Sequence, residues 1–218
     1  ADKKAILVVG GIGSGKTTTV NKIINKLNLK KLGFNVLDED IERSKIKLVE
    51  KISEASVYEK AKKSIDKKYK DLSENKKGII YDLLGTNKKF TTKISNDLKS
   101  KGYDVSMILV DTSLDLAVKR DAARERTMGE FLVEFTNHFV KRNKDFYAKE
   151  FDGSFTVLDT DNLKLEDPLP SNFVKQVKSS IKYSILPKDL DLRFNEIIQE
   201  TKGVNAKAVF SDTLAALR

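Results

Sequence analysis

Residues 5–17 read Ala5-Ile6-Leu7-Val8-Val9-Gly10-Gly11-Ile12-Gly13-Ser14-Gly15-Lys16-Thr17. Five apolar residues in a row predict a buried strand. The next eight fit G-x-x-x-x-G-K-[ST]. Residues 18–27, with Val20, Ile23, Ile24 and Leu27 on one face, predict a helix. Glycines let the backbone fold tightly and turn its N–H groups inward, and a following helix N-terminus adds positive potential, so the segment is expected to cradle phosphate. Gly11, Gly13, Ser14, Gly15, Lys16, Thr17 and Thr18 are then the nucleotide contacts. Lys16 is placed to reach β- and γ-phosphates and Thr17 to hold Mg²⁺. The alternative is a chance glycine-rich turn, and strand, loop and helix in register speak against it. The expected ligands are ATP and Mg²⁺.

The chain has 218 residues, enough for one sizeable core and a small appendage. It has no cysteine, which removes disulfides, thiol nucleophiles and thiolate metal sites and fits a reducing compartment. No apolar run approaches the roughly 20 residues that span a bilayer, and the chain enters its first strand without a signal peptide, so a cytoplasmic, membrane-free protein is expected. The formal charge is +9, from 41 Lys and Arg against 32 Asp and Glu. That balance fits a DNA or RNA partner as well as a lysine-rich soluble surface, and charge does not separate the two.

Outward from the opening unit, strand and helix patterns alternate. Residues 34–37 predict a second strand. A long lysine-rich helical stretch over 44–77 follows and is closed by Gly78, then a third strand starts at 79–81. Residues 90–101 predict a helix closed by Gly102, 105–110 a strand, 114–126 a helix, 131–147 a helix and 155–158 a last strand. This order implies an α/β fold of the P-loop NTPase type, a parallel sheet with helices on both faces and ligands beyond the carboxyl ends of the strands. Asp167-Pro168-Leu169-Pro170 marks a boundary between a domain of residues 1–166 and a mostly helical C-terminal extension of 167–218.

Residues after the other strands distinguish one use of a phosphate loop from another. Asp38-Glu39-Asp40-Ile41-Glu42-Arg43 follows the second strand. A carboxylate there can take the proton of an attacking hydroxyl, and an arginine one turn on can orient an anionic substrate. An acidic helix N-terminus is the other reading. After the third strand comes Asp82-Leu83-Leu84-Gly85-Thr86-Asn87. Asp82 is a candidate for Mg²⁺ or its waters, with Thr86 and Asn87 touching substrate. A structural turn on Gly85 and Asn87 competes with that reading. Arg120 and Arg124 lie four apart on the fourth predicted helical run, and Arg126 enters the hinge Thr127-Met128-Gly129. Arginines on a mobile lid can neutralise charge on a transferred phosphoryl group. The competing reading is a solvated helix salt-bridged by Asp121 and Glu125. His138 is the lone histidine and gives no zinc-site spacing. Tyr58, Tyr69 and Tyr81 serve base stacking or packing equally well.

Taken together, these residues resemble the small P-loop kinases that include bacteriophage polynucleotide kinase and the zeta-toxin family. Those share the Walker-A loop, an Asp-x-x-Arg element, a polar strand end and an arginine-bearing lid. The resemblance covers about residues 4–162. It implies that Asp40 is the base and Lys16, Arg120 and Arg124 the other catalytic groups. It maps the substrate-orienting arginine onto Arg43 and the lid onto Arg120, Arg124 and Arg126, with Arg126 toward the nucleotide, while Asp82, Thr86 and Asn87 stay substrate candidates and Thr17 and Asp82 metal candidates from their own positions. Residues 157–162 would lie beside adenine. Leu83 and Leu84 intervene where those families place their polar group directly after Asp. Ala208-Val209-Phe210-Ser211-Asp212-Thr213 lacks the aspartate pair of a polynucleotide phosphatase, and no such activity is expected.

Three functions remain at this stage. One is a kinase moving the γ-phosphoryl group of ATP to a hydroxyl, with a nucleic acid or nucleotide slightly favoured by charge and a nucleotide-sugar or other small molecule implied by the zeta-toxin likeness. Another is a nucleotide-dependent switch, opposed by the Asp40-x-x-Arg43 spacing, the arginine lid and the lack of an Asn-Lys-x-Asp motif. A third is a phosphate-binding module of a larger polypeptide.

Overall fold

A computed structural model describes residues 2–181. The chain divides into two units, Ala1–Lys182 and Tyr183–Arg218, of which the second lies outside the described residues. The expectation of helix beyond residue 181 and the stretch 208–213 lie there as well.

The strands are β1 (Lys4–Val9), β2 (Phe34–Leu37), β3 (Gly78–Leu83), β4 (Asp104–Asp111) and β5 (Phe155–Asp159). They form one parallel sheet in the order β2-β3-β1-β4-β5. The helices are α1 (Lys16–Lys26), α2 (Glu39–Val49), α3 (Glu54–Glu74), α4 (Lys88–Ser100), α5 (Leu114–Ala122), α6 (Glu130–Glu150) and α7 (Ser171–Ser180). This is the P-loop arrangement that the alternation predicts.

The strands are apolar on both faces because both are covered. Leu7, Val9, Ile79, Tyr81, Met107 and Leu109 pack into one cluster with Ile65 of α3, Leu98 of α4 and Val140 and Tyr147 of α6. On the other face Ile6, Val8, Ile80 and Ile108 meet Thr19, Val20 and Ile23 of α1. Each large side chain buried this way contributes about 1.5–3 kcal/mol. α7 buries Phe173 and Val177 and packs on β5. Among the described residues no helix is long and apolar enough to cross a membrane.

Two boundaries differ from expectation. The 44–77 stretch is not one helix. α2 starts earlier, at Glu39, because Asp38 caps it, and the chain is extended from Glu50 to Ser53 before Ser53 caps α3 through Ser56 N. The run 114–126 stops at Ala122. There Asp121, instead of staying on a helix face, accepts hydrogen bonds from Met128 N and Gly129 N at 3.0–3.1 Å and folds the chain back. Arg120 and Arg124 therefore do not share a helical face.

Candidate active site

The nucleotide loop leaves the central strand β1 and is braced by its own backbone and by α6. Gly13 and Gly15 have φ of +77° and +90°, the left-handed region open to glycine, and a Cβ on Gly13 would lie 2.3 Å from the Ala117 carbonyl. Ile12 is braced at both polar atoms, its N–H donating to Thr136 Oγ1 at 3.0 Å and its carbonyl accepting from Asn137 Nδ2 at 2.7 Å. α1 begins at Lys16 behind Gly15, which offers no capping side chain, and its first turn holds no acid. Its leading N–H groups are thus left for an anion. Ser14 Oγ is buried without a hydrogen-bond partner, and a phosphate oxygen fits that vacant valence. Thr17 is exposed on the first turn.

Lys16 does not project into solvent. Its ammonium forms an ion pair with Asp82 and donates to the Leu83 carbonyl at 2.7 Å. β3 runs two residues past Tyr81, so Asp82 sits within the strand with its side chain only 9% exposed. Burial raises its pKa against the opposing charge and hydrogen bond of Lys16, and Asp38 and Asp40 raise it further. Asp82, Asp38 and Asp40 thus add to one negative field at the carboxyl ends of β2 and β3, which a divalent cation would relieve. A buried carboxylate and an exposed threonine hydroxyl supply the oxygen donors such a hard ion takes. Among the described residues no group of three or more His, Cys, Asp or Glu side chains forms a cage of its own.

Across the mouth, Asp38 Oδ1 accepts from Asp40 N at 2.8 Å and Ile41 N at 3.3 Å. Asp38 is therefore occupied as a helix cap. Asp40 is open, 75% exposed, and paired with Arg43 one turn along. Glu42, buried on the other side of α2, fixes α2 to α3 through Ser64 and Lys68 and also pairs with Lys45. The β3–α4 loop is pinned by α6. The Gly85 carbonyl accepts from Tyr147 OH at 2.6 Å and Asn143 Nδ2 at 3.1 Å, and the Thr86 carbonyl from Asn143 at 2.9 Å. Asn87 spends its side-chain oxygen capping α4 at Phe90 N, 3.1 Å away. Here the turn reading describes Asn87, while Thr86 is partly exposed at the strand end.

The arginines separate. Arg120 lies against the nucleotide loop and the end of β5, hydrogen-bonded to Thr160 and the Ser14 carbonyl. Arg124 and Arg126 are exposed on the segment between α5 and α6, and Arg126 lies 3.6 Å from Glu54 at the start of α3. Asp121 does not salt-bridge this helix, since its oxygens serve the backbone of Met128 and Gly129. His138 is exposed, edge-on to Phe139. Tyr69 of α3 and Tyr81 of β3 pack on each other at 5.8 Å, and Tyr58 is half exposed. Sequence reasoning missed Thr136, Asn137, Asn143 and Tyr147, which brace both phosphate-side loops. The available signal was polar residues on the apolar stripe of Val133 and Val140.

Comparisons with known proteins agree with this fold. A structure of the AvrRxo1-ORF1:-ORF2 complex superposes with TM-score 0.60 at 18% identity, covering 73% of this chain and 55% of that one. The same complex has been solved with ATP. The PezAT chromosomal toxin-antitoxin system of Streptococcus pneumoniae gives 0.58 at 19% identity, covering 91% and 87%. The Pnkp1/Rnl/Hen1 RNA repair complex gives 0.54 at 17%, covering 69% and 47%. The chain thus spans about half the length of the AvrRxo1 and RNA-repair chains, and at these identities the likeness is one of fold. A search of curated protein sequences finds no match. The sequence profile of the zeta toxin matches residues 1–164, more than half of the chain. The phosphate loop on β1, the five-stranded parallel sheet and that profile lead to one conclusion: the chain belongs to the zeta-toxin family.

Proposed function

We propose that this protein is an ATP-dependent kinase that transfers the γ-phosphoryl group to the hydroxyl of a small, phosphate-bearing acceptor of the nucleotide-sugar class. The observation that carries the reading is the open Asp40–Arg43 pair at the end of β2, facing the end of β3 beside the loop of Lys16. Asp40 takes the acceptor's proton as the hydroxyl attacks, and Arg43 turns from Asp40 to the acceptor's anionic group. Lys16 exchanges Asp82 for the β- and γ-phosphates. Thr17 and Asp82 would hold Mg²⁺, which supplies charge neutralisation on the phosphates. Arg124 and Arg126, on an exposed segment, are the groups that would approach the transferred phosphoryl, Arg126 by leaving Glu54.

A polynucleotide acceptor is the second reading, resting on lysines between β2 and β3. Among the lysines there, Lys45, Lys47 and Lys68 already pair with Glu42, Glu54 and Glu42, while Lys62, Lys63 and Lys67 are exposed. Those pairs weaken a phosphate-tracking surface and support the smaller acceptor. γ-labelled ATP offered with panels of nucleotide-sugars, nucleosides, RNA and DNA tests both. Label in nucleotide-sugars is expected. Label in 5′-hydroxyl polynucleotides alone would install the second reading, and label in none would remove the kinase.

A further inference from the structure

The N–H groups of a phosphate loop serve a ligand only when they point inward, and the carbonyls then point outward and need donors of their own. At Ile12 that donor comes from α6. At Ser14 it comes from Arg120. Arg120 Nη1 lies 2.7 Å from Thr160 Oγ1, 3.2 Å from the Ser14 carbonyl, 3.4 Å from Thr112 Oγ1 and 3.5 Å from the Gly13 carbonyl. A guanidinium nitrogen carries two hydrogens here, so Thr160 and Ser14 take the best of that geometry. Nη2 donates to the Thr160 carbonyl at 2.7 Å. Thr160 Oγ1 in turn donates to the Ser14 carbonyl at 2.6 Å. One small unit therefore bonds that carbonyl twice.

The unit is itself framed. Thr160 N donates to the Asp111 carbonyl at 2.9 Å, and Asp161 accepts from Thr112 Oγ1 at 2.8 Å and Ser113 N at 2.6 Å. The ends of β4 and β5, the start of α5 and the nucleotide loop meet at one guanidinium. A lid arginine waiting for a phosphoryl group has no use for such a frame.

We propose that Arg120 is a positioning residue of the nucleotide loop: fixed by Thr160, it fills the outward carbonyl of Ser14 and so keeps the loop's N–H groups aimed at phosphate. The inference rests on the nucleotide site of the reading above but not on its acceptor. It assigns Arg120 to binding of ATP and leaves charge neutralisation during transfer to Arg124 and Arg126. The planar fork is required, because one lysine ammonium cannot serve the Thr160 carbonyl, the Thr160 hydroxyl and Ser14 in that geometry.

The test is calorimetric titration of ATP into Arg120→Ala, Arg120→Lys and Thr160→Val, with thermal melts and steady-state rates alongside. Arg120→Ala should weaken ATP binding about tenfold or more while the maximal rate at saturating ATP stays within about threefold, and Arg120→Lys should not restore the affinity. A scaffold role alone would lower the melt and the active fraction without moving the dissociation constant. If Arg120→Ala does not fold, Thr160→Val carries the test, with weaker ATP binding expected at a near-normal melt. Unchanged affinity with a reduced rate, or rescue by lysine, overturns the proposal. Failure to find any acceptor would sink the kinase and leave the binding result standing.

Discussion

At Lys16 the charge proposed to serve ATP is paired with Asp82 and bonded to the Leu83 carbonyl. The sequence places this side chain on phosphate or in solvent, which makes Lys16→Ala a purely kinetic lesion. The ion pair changes that expectation, because the substitution leaves a buried carboxylate unpaired. Lys16→Ala should lower turnover about a thousandfold or more. It should also destabilise the empty protein by about 1–3 kcal/mol. Asp82→Asn added to Lys16→Ala should recover the melt and none of the turnover. A melt unchanged in Lys16→Ala would show that the pair does not form. The two aspartates after β2 separate in the same manner. Asp38 is a cap, so Asp38→Ala should cost about 0.5–2 kcal/mol of stability. Asp40→Asn should lower the maximal rate far more than ATP affinity, as a base on the acceptor must. If kinetics instead single out Asp38 and spare Asp40, the base has been misassigned.

The α2–α3 elbow carries Asp40 and Arg43, and its rigidity depends on Glu42. Burial alone would raise the Glu42 pKa, but hydrogen bonds from Lys68 and Ser64 and the charges of Lys68 and Lys45 bring it from 4.5 down to about 2. The folded state thus binds this proton more weakly than the unfolded chain. The stabilisation is complete above about pH 4.5 and is lost as pH falls toward 2, on the order of 2 kcal/mol with allowance for the half-exposed Lys68. Glu42→Gln should lower the melt near neutral pH and flatten its acid limb, and a parallel limb would show that the elbow is pinned elsewhere. Elements of this kind are legible in sequence only in part. Asp38 as a cap and Ser53 as a break are local signals that the lysine-rich periodicity masks. The early end of α5 follows from Asp121 bonding to residues seven and eight positions on, a choice that helical spacing does not reveal.

For the molecule as a whole, what could be read in advance was whatever consecutive residues carry: the phosphate loop, the strand alternation and the acidic turn after β2. What could not be read is what the sheet brings together from afar, such as Asn143 and Tyr147 on Gly85, Thr160 on Ser14, and Glu42 on Lys68. Those partners are mostly backbone carbonyls, which have no letter in a sequence. Net charge belongs to this scale too, and it bears on the acceptor. The formal charge of +9 favours a polyanion only where lysines are free to meet one. On the α3 face Lys62, Lys63 and Lys67 are exposed, while Lys45, Lys47 and Lys68 are paired with glutamates. A small acceptor displaces few counterions, so its apparent affinity should change by less than about threefold between about 50 and 200 mM salt. A polynucleotide held by those three lysines releases about three ions and loses on the order of tenfold or more over the same range. Measuring acceptor binding across that series, in the wild type and in Lys62→Ala/Lys63→Ala/Lys67→Ala, separates the cases. A flat response unaffected by the triple substitution supports the nucleotide-sugar class. A steep response that the substitution flattens would transfer the acceptor to nucleic acid and make α3 its track.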